Sequence, residues 1–120
     1  MIEENINTTL TEFAGLAALV GDKIFHGEVE QGVVLPYVSF FIFSDSPVQT
    51  LAGSIDTTDS QIQVDVYAGT VLEARDVMVQ VRAAMNAATL FKSRHGARRG
   101  PARAEPGYQH GQLEFSVWHD

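Results

Sequence analysis

The 120-residue chain has no cysteine, few basic side chains and no long apolar run. The absence of cysteine excludes disulfides and thiol chemistry, and it leaves the compartment undecided. No apolar run approaches the ~20 residues that a membrane-spanning helix requires. The acidic opening MIEENINTTL also lacks the basic start of a signal peptide. We therefore expect a soluble protein that is not secreted by the usual route and has no membrane partner.

Basic residues are scarce and unevenly placed along the chain. Eight lysines and arginines stand against fifteen acids, which gives a net charge of −7. Five of the eight fall in one window that contains no acid: Lys92, Arg94, Arg98, Arg99 and Arg103. The window therefore carries a charge of +5, and the remainder of the chain carries a net charge of −12. Gly96, Gly100 and Pro101 predict that this window is non-helical and mobile, a flexible basic loop at 92–107.

Three interpretations of the basic loop stay open at this point. Its arginines could neutralise nucleic-acid phosphates, although no aromatic stacking partners accompany them. They could instead dock on an acidic protein surface, including that of a neighbouring copy in an assembly. A run of like charge is also typical of a solvated loop with no partner.

Two amphipathic helices are predicted from apolar residues spaced three and four apart. The first spans residues 2–20 and ends at Gly21. Its apolar positions are Ile2, Ile6, Leu10, Phe13, Leu16 and Val20. The second opens at a capping box formed by Thr70 and Glu73. Its inward stripe is predicted to be Val71, Ala74, Met78, Val81, Met85 and Ala88.

Four strands are predicted around these helices, at residues 23–26, 37–44, 61–67 and 112–118. Residues 45–58 contain Pro47 and Gly53 and are predicted to form a long loop or irregular arm. The order of elements predicts a single α+β domain over residues 1–120. In it, two helices pack on one face of a largely antiparallel sheet of about four strands.

The helices can cover only one face of this sheet, so the other face is expected to be unusual. It would carry the aromatic residues Tyr37, Phe41, Phe43, Tyr67 and Trp118. Large exposed apolar patches usually mark an interface, which predicts an oligomer; alternatively, the segment 45–58 folds over this face. Asp65 interrupts a hydrophobic strand on the same face. It is expected to pair with a basic residue from a neighbouring strand or another subunit.

Motifs for catalysis or metal binding are not found in the sequence. The histidines at 26, 95, 110 and 119 are too far apart for a paired zinc site, and no phosphate-binding loop or nucleophile elbow occurs. An enzyme built on His26, Asp65 and His110 would require a polar pocket that joins all three. We therefore expect no enzymatic activity and no cofactor.

Four segments, in their order and spacing, resemble the tail-completion family of long-tailed phages. They are ALVGDKIF at 18–25, LPYVSF at 35–40, QVDVYAGTVLEA at 63–74 with the helix through VRAAM at 81–85, and FSVWH at 115–119. The family includes tail-tube terminators and tail-to-head joining proteins. Its pattern has a further strand after the second helix, where this sequence shows only the glycine- and arginine-rich window.

The resemblance implies a structural virion protein that forms a ring, expected to be hexameric, at the head-proximal end of the tail tube. Such a ring stops tube polymerisation and joins the tail to the head-neck connector, and DNA passes through it. The protein would lie in the virion tail after assembly in the host cytoplasm. Tyr37, Phe41, Phe43, Asp65, Tyr67 and Trp118 would then contact a neighbouring subunit. Lys92, Arg94, Arg98, Arg99 and Arg103 would dock on the tube or neck protein, or meet passing DNA.

A competing function comes from another class of protein. The chain could instead be a small accessory protein that binds nucleic acid through the same basic window, residues 92–103. Binding that survives moderate salt would favour this alternative, because purely electrostatic attraction weakens steeply as salt rises.

Overall fold

The computed structural model describes residues 2–21, 23–27, 34–50, 53–88, 91–105 and 108–119. For residues 47–50, 53–57, 97, 101–105 and 108 it describes the backbone alone. The described residues form three helices and five strands. The helices are α1 (Ile2–Glu12), α2 (Ala14–Val20) and α3 (Val71–Asn86). The strands are β1 (Ile24–His26), β2 (Tyr37–Thr50), β3 (Gly53–Ala68), β4 (Lys92–Glu105) and β5 (Tyr108–His119).

The five strands form one mixed sheet in the order β1-β2-β3-β5-β4. The β1-β2 pair is parallel, whereas the other three pairs are antiparallel. The helices pack on one face of this sheet and share its hydrophobic core. The predicted α+β class with a largely antiparallel sheet is therefore confirmed in outline, with one more helix and one more strand than expected.

The core lies between the helices and the inward side chains of the central strands. The alternation predicted for β3 and β5 is confirmed, because Ile62, Val64, Val66, Leu113, Phe115 and Val117 are all buried. In α3 the buried stripe is Ala74, Val77, Met78, Val81, Ala84 and Met85. Val71 was predicted to point inward, but it is 44% exposed, so the stripe begins one turn later. Gly111 lets α3 approach β5 closely, since a Cβ there would overlap the thioether of Met78.

The first predicted helix is broken into α1 and α2 at Phe13. This residue is extended, with φ −77° and ψ 111°. Two residues earlier, the Thr11 hydroxyl donates to the Asn7 carbonyl at 2.7 Å, a back-bond that often bends helices. The apolar spacing runs through the break, so periodicity alone predicted one helix. Gly21 ends α2 with a positive φ of 63°, as the sequence predicted. No helix in the described ranges is long and apolar enough to cross a membrane.

Residues 45–58 were predicted to be a loop, and this prediction is wrong. They extend β2 and β3 as a two-stranded arm, which we define as residues 45–50 and 53–58; residues 51 and 52 lie outside the described ranges. Pairing runs from Asp45↔Ser60 to Thr50↔Gly53, and β5 ends opposite Thr58. A register shift follows Pro47, which has no N–H to donate. The arm pairs within the sheet, so its described residues do not fold over the face opposite the helices.

A buried polar contact ties the base of the arm to β5. Ser60 is fully buried, and its hydroxyl donates to the Asp45 carboxylate on β2. The same oxygen lies 2.7 Å from Nε2 of His119 on β5. Ser60 therefore links three strands at the point where the sheet narrows to two.

Ser60→Ala is expected to lower the free energy of unfolding by about 0.5–1.5 kcal/mol, because the hydroxyl's contacts with Asp45 and His119 are lost. Chemical denaturation of the purified protein measures this change. Ser46→Ala is the matched control, since Ser46 is exposed on β2 and its loss should cost about 0.5 kcal/mol or less. Equal losses in the two variants would contradict a special role for Ser60.

The basic window was predicted to be a flexible loop, and this is wrong over residues 92–105. They form β4, an edge strand paired with β5; residues 106 and 107 lie outside the described ranges. Only one side of an edge strand is paired, so glycine and proline are tolerated there. Register shifts occur at His95/Ala97 and Arg99/Ala102, around Gly96 and Pro101. This strand is the one that the family resemblance led us to expect after the second helix.

Candidate assembly surfaces

The sheet face opposite the helices carries rows of polar and aromatic side chains, and we call it the helix-free face. Directly paired residues of antiparallel strands point to the same side, so the strand register defines each row. Three of the rows are Tyr37–Tyr67–His110, Ser39–Asp65–Gln112–Arg99 and Phe41–Gln63–Glu114. The rows cross from β2 to β5, and the register continues each of them onto β4.

An aromatic stack spans three strands at one end of the helix-free face. The ring centroids of Tyr37 and Tyr67 are 4.8 Å apart, and the ring planes are inclined by 22°. The ring centroids of Tyr67 and His110 are 4.7 Å apart, and the ring planes are inclined by 8°. Aromatic pairs of this kind contribute about 0.5–1.5 kcal/mol beyond their buried area. The stack therefore holds a broad, partly exposed ring surface in a fixed position.

The remaining predicted aromatic residues lie at other points of this face. The rings of Phe41 and Phe43 are 6.3 Å apart at the β2 side of the sheet. Phe43 is 49% exposed and sits at the register shift between Ile42 and Ser44. Trp118 is half-buried, and it pairs with Asp59 on one side and Lys92 on the other. The contact of these residues with another subunit stays a prediction.

Asp65 is only 6% exposed, and its carboxylate is well partnered. Its Oδ1 lies 3.0 Å from Nε2 of His110 and accepts from the Gln63 amide at 3.0 Å. The sequence predicted a basic partner from a neighbouring strand or another subunit. The structure supplies His110, on the neighbouring strand β5 of the same chain.

The basic residues of β4 divide between the two faces of the sheet. Lys92, Arg94 and Arg99 are exposed and pair with Trp118, Ser116 and Gln112, which places them on the helix-free face. Arg98 pairs with the buried Leu113, so it points to the helix side. Arg103 pairs with Gln109 through its backbone, and its side chain lies outside the described part of the chain.

Sequence reasoning missed two further arginines near this strand. Arg75 and Arg82 of α3 line one cavity together with Arg98. Their spacing of seven, which places them on one face of a helix, was the available signal. Seven of the eight basic residues thus lie on β4 or α3. We call the region formed by β4 and the adjoining side of α3 the basic edge.

The residues considered for an enzyme do not come together. His26 stacks on Phe40 at 5.1 Å, and Phe40 points into the helix-covered core. Asp65 and His110 lie on the opposite, helix-free face. The polar pocket that this hypothesis required therefore does not join the three residues. Among the described residues, no group of three side chains is placed to hold a metal ion.

The fold is thus an α+β sheet with one helix-covered face, one open aromatic face and one basic edge. The family model "Tail completion protein gp17" matches residues 4–120, so the chain belongs to the tail completion protein gp17 family. The resemblance to the tail-completion family that the sequence segments indicated is thereby confirmed.

Two solved structures show the same fold. A chain from the virion of a native gene transfer agent particle superposes with a TM-score of 0.70 at 15% identity, over 94% of this chain and 90% of that one. The gp17 protein of bacteriophage SPP1 gives a TM-score of 0.62 at 15% identity, over 99% and 88% of the two chains. Among curated protein sequences, none matches this chain.

Proposed function

We propose that this chain caps the head-proximal end of the phage tail tube as a hexameric ring, stops tube polymerisation and joins the tail to the head-neck connector. The family match over residues 4–120 carries the proposal. The related chain found in a gene transfer agent virion supports it. The role is structural and requires no catalytic group or cofactor. The ring is assembled in the host cytoplasm and ends in the virion tail.

The open surface of the sheet suits such an assembly. A ring needs a head-to-tail interface in which two different patches meet, and closure keeps it from growing into a filament. We assign one patch to the helix-free face, where an aromatic surface remains accessible in the described structure. Its contact residues are Tyr37, Phe41, Phe43, Asp65, Tyr67 and Trp118.

The arm is proposed to contact the tube. Isolated two-stranded ribbons are marginally stable in water, so a ribbon that projects from a sheet gains from packing against a partner. The described structure is elongated, with extents of 52, 25 and 23 Å. On the helix-free side of β4, we assign Lys92, Arg94 and Arg99 to an acidic surface of the tube or neck protein.

Tube assembly in the presence of this protein tests the capping role. Purified tail tube protein is polymerised with and without the chain, and tube lengths are measured by electron microscopy. The proposal predicts shorter tubes and a ring bound at one end only. Tubes of unchanged length, or decoration along their sides, would count against capping.

Phe43→Ser is expected to weaken self-association by about tenfold or more, the scale set by removing an aromatic anchor from an interface. Its thermal stability should change little, because Phe43 is 49% exposed. Leu72→Ser is the matched control, since Leu72 is 71% exposed on α3 rather than on the helix-free face. Sedimentation velocity measures both variants. If Leu72→Ser weakens association as much as Phe43→Ser, the helix-free face is not the contact surface.

Nucleic-acid binding is the second candidate function, and the concentration of positive charge at the basic edge favours it. Gel shifts with duplex and single-stranded DNA between 50 and 200 mM salt decide between the two functions. Binding that persists at the higher salt supports an accessory nucleic-acid-binding protein. Binding that vanishes indicates only non-specific charge attraction.

A further inference from the structure

The helix side of the basic edge contains a small cavity with three arginines around it. The cavity has a volume of about 120 Å³ and lies between α3 and β4. Its lining is Arg75, Met78, Val79, Arg82, Arg98 and Leu113. We call this site the arginine cleft. It has an apolar floor and a cationic rim built from two separate elements.

The arginines of the cleft have no acidic partner in the described structure. All three are exposed, and no acidic side chain lines the cavity. Among the described residues, none of the three takes part in a hydrogen bond or an ion pair. Three converging cations repel one another in the isolated chain, so the cleft favours an anionic ligand.

The opposite edge of the sheet carries the complementary charge. Beside β1, a cavity of about 350 Å³ is lined by Glu3, Glu4, Asn7, Thr8 and His26, and we call its border the acidic rim. One carboxylate oxygen of Glu3 is buried there without a hydrogen-bond partner among the described residues. Carboxylates are acceptors that match a guanidinium, which supplies five N–H donors in a planar fork.

We propose that the arginine cleft of one copy binds the acidic rim of the next copy in a ring. This inference rests on the proposed ring and names its second contact surface. The sheet order places β1 and β4 at opposite edges, roughly 19 Å apart at about 4.8 Å per strand. The two sites therefore meet between copies and not within one.

The charge pattern also specifies the direction of association. Two basic edges repel each other, as do two acidic rims, so a symmetric dimer is disfavoured and head-to-tail contact is selected. Positive charge on an edge strand by itself guards against aggregation through strand pairing. That simpler role accounts for the β4 residues, but it leaves Arg75 and Arg82 of α3 unexplained, because they do not lie on a strand.

Charge reversal on neighbouring residues of β4 tests the proposal. Arg98→Glu reverses a charge in the cleft, whereas the control Arg99→Glu makes the same change on the other face. Ring formation by the full chain is measured by sedimentation and native mass spectrometry without tail tubes, because Arg99 is itself assigned to the tube contact. Arg98→Glu should raise the concentration for half-assembly by about tenfold or more, and Arg99→Glu by about twofold or less. Adding Glu4→Arg to the Arg98→Glu chain should recover assembly.

A cysteine cross-link gives an independent readout that leaves every charge in place. The chain has no native cysteine, so Val79→Cys in the cleft and Asn7→Cys in the rim provide its only thiols. The double variant should form a ladder of covalent multimers on oxidation, whereas either single variant should remain monomeric.

The outcomes separate this inference from the proposed function. If wild-type rings form but Arg98→Glu assembles normally and no ladder appears, the cleft contact is wrong. The proposed ring is then unaffected. If Arg98→Glu and Arg99→Glu weaken assembly equally, the effect comes from the overall charge of the basic edge and not from the cleft, which contradicts the inference. Loss of DNA binding without loss of assembly in Arg98→Glu would assign the cleft to phosphates and overturn the inference. If the wild type forms no ring, alone or on tubes, both proposals fail.

Discussion

Phe115→Ala is expected to lower the free energy of unfolding by about 3–5 kcal/mol. Phe115 is 1% exposed at the centre of β5, where it pairs with Ile62 of β3 and His95 of β4. Removing its ring leaves a cavity between the sheet and α3 that these neighbours fill only in part. The loss is a large share of the roughly 5–15 kcal/mol that stabilises an ordinary domain. Urea unfolding followed by circular dichroism measures it.

The control for this prediction is the same truncation at an exposed site. Phe43→Ala removes the same ring from a side chain that is 49% exposed. It should cost about 1 kcal/mol or less, because less apolar area returns to water. Similar losses at the two positions would mean that the core does not lie where the structure places it.

Deleting the gene from its phage or prophage should abolish infectious particles while heads and tubes are still made. A tube without its cap keeps growing or fails to join a head. Negative-stain microscopy of the lysate should therefore show overlong or variable tails, or finished tails detached from filled heads. Plaque counts give the second readout, and the wild-type gene supplied in trans should restore both.

The form of the defect assigns the role within the family. Overlong tubes identify a terminator, whereas tails of normal length without heads identify a joining protein. Normal infectious particles from the deletion strain would remove the protein from tail completion altogether. Nucleic-acid binding by the basic edge would then be the function to test.

The most regular segments could be predicted from the sequence. The capping contact of α3 is present, since the Glu73 N–H donates to the Thr70 hydroxyl at 3.1 Å. Strict alternation in residues 61–67 and 112–118 predicted β3 and β5 because a half-buried strand requires it. The parallel pairing of β1 with β2 could not be predicted, since three residues carry too short a pattern.

The wrong predictions share a physical cause. Glycine and proline are poor strand formers, so Gly96, Gly100 and Pro101 led to the prediction of a loop. An edge strand pairs on one side only, and β4 accommodates Gly96 and Pro101 at register shifts. The arm was missed for a related reason: residues 45–58 form strands through their pairing with each other, which local propensity does not report.

The candidate surfaces were predicted in part. Alternation placed Tyr67 and Trp118 on the uncovered face, and the register confirms that position. The partner of Asp65 could not be identified, because residues 65 and 110 are far apart in sequence and meet only through β3-β5 pairing. The arginine cleft was missed for the same reason, since Arg98 reaches Arg75 and Arg82 only in the fold.

The most direct test of the central claim is a cryo-electron microscopy reconstruction of the head–tail junction in intact particles. The account predicts that this chain forms one closed ring at the head-proximal end of the tail tube. Each arm should lie against the tube, and each basic edge should face the acidic rim of the next copy. Density for the chain at the distal tip of the tail, or none in the finished particle, would contradict it.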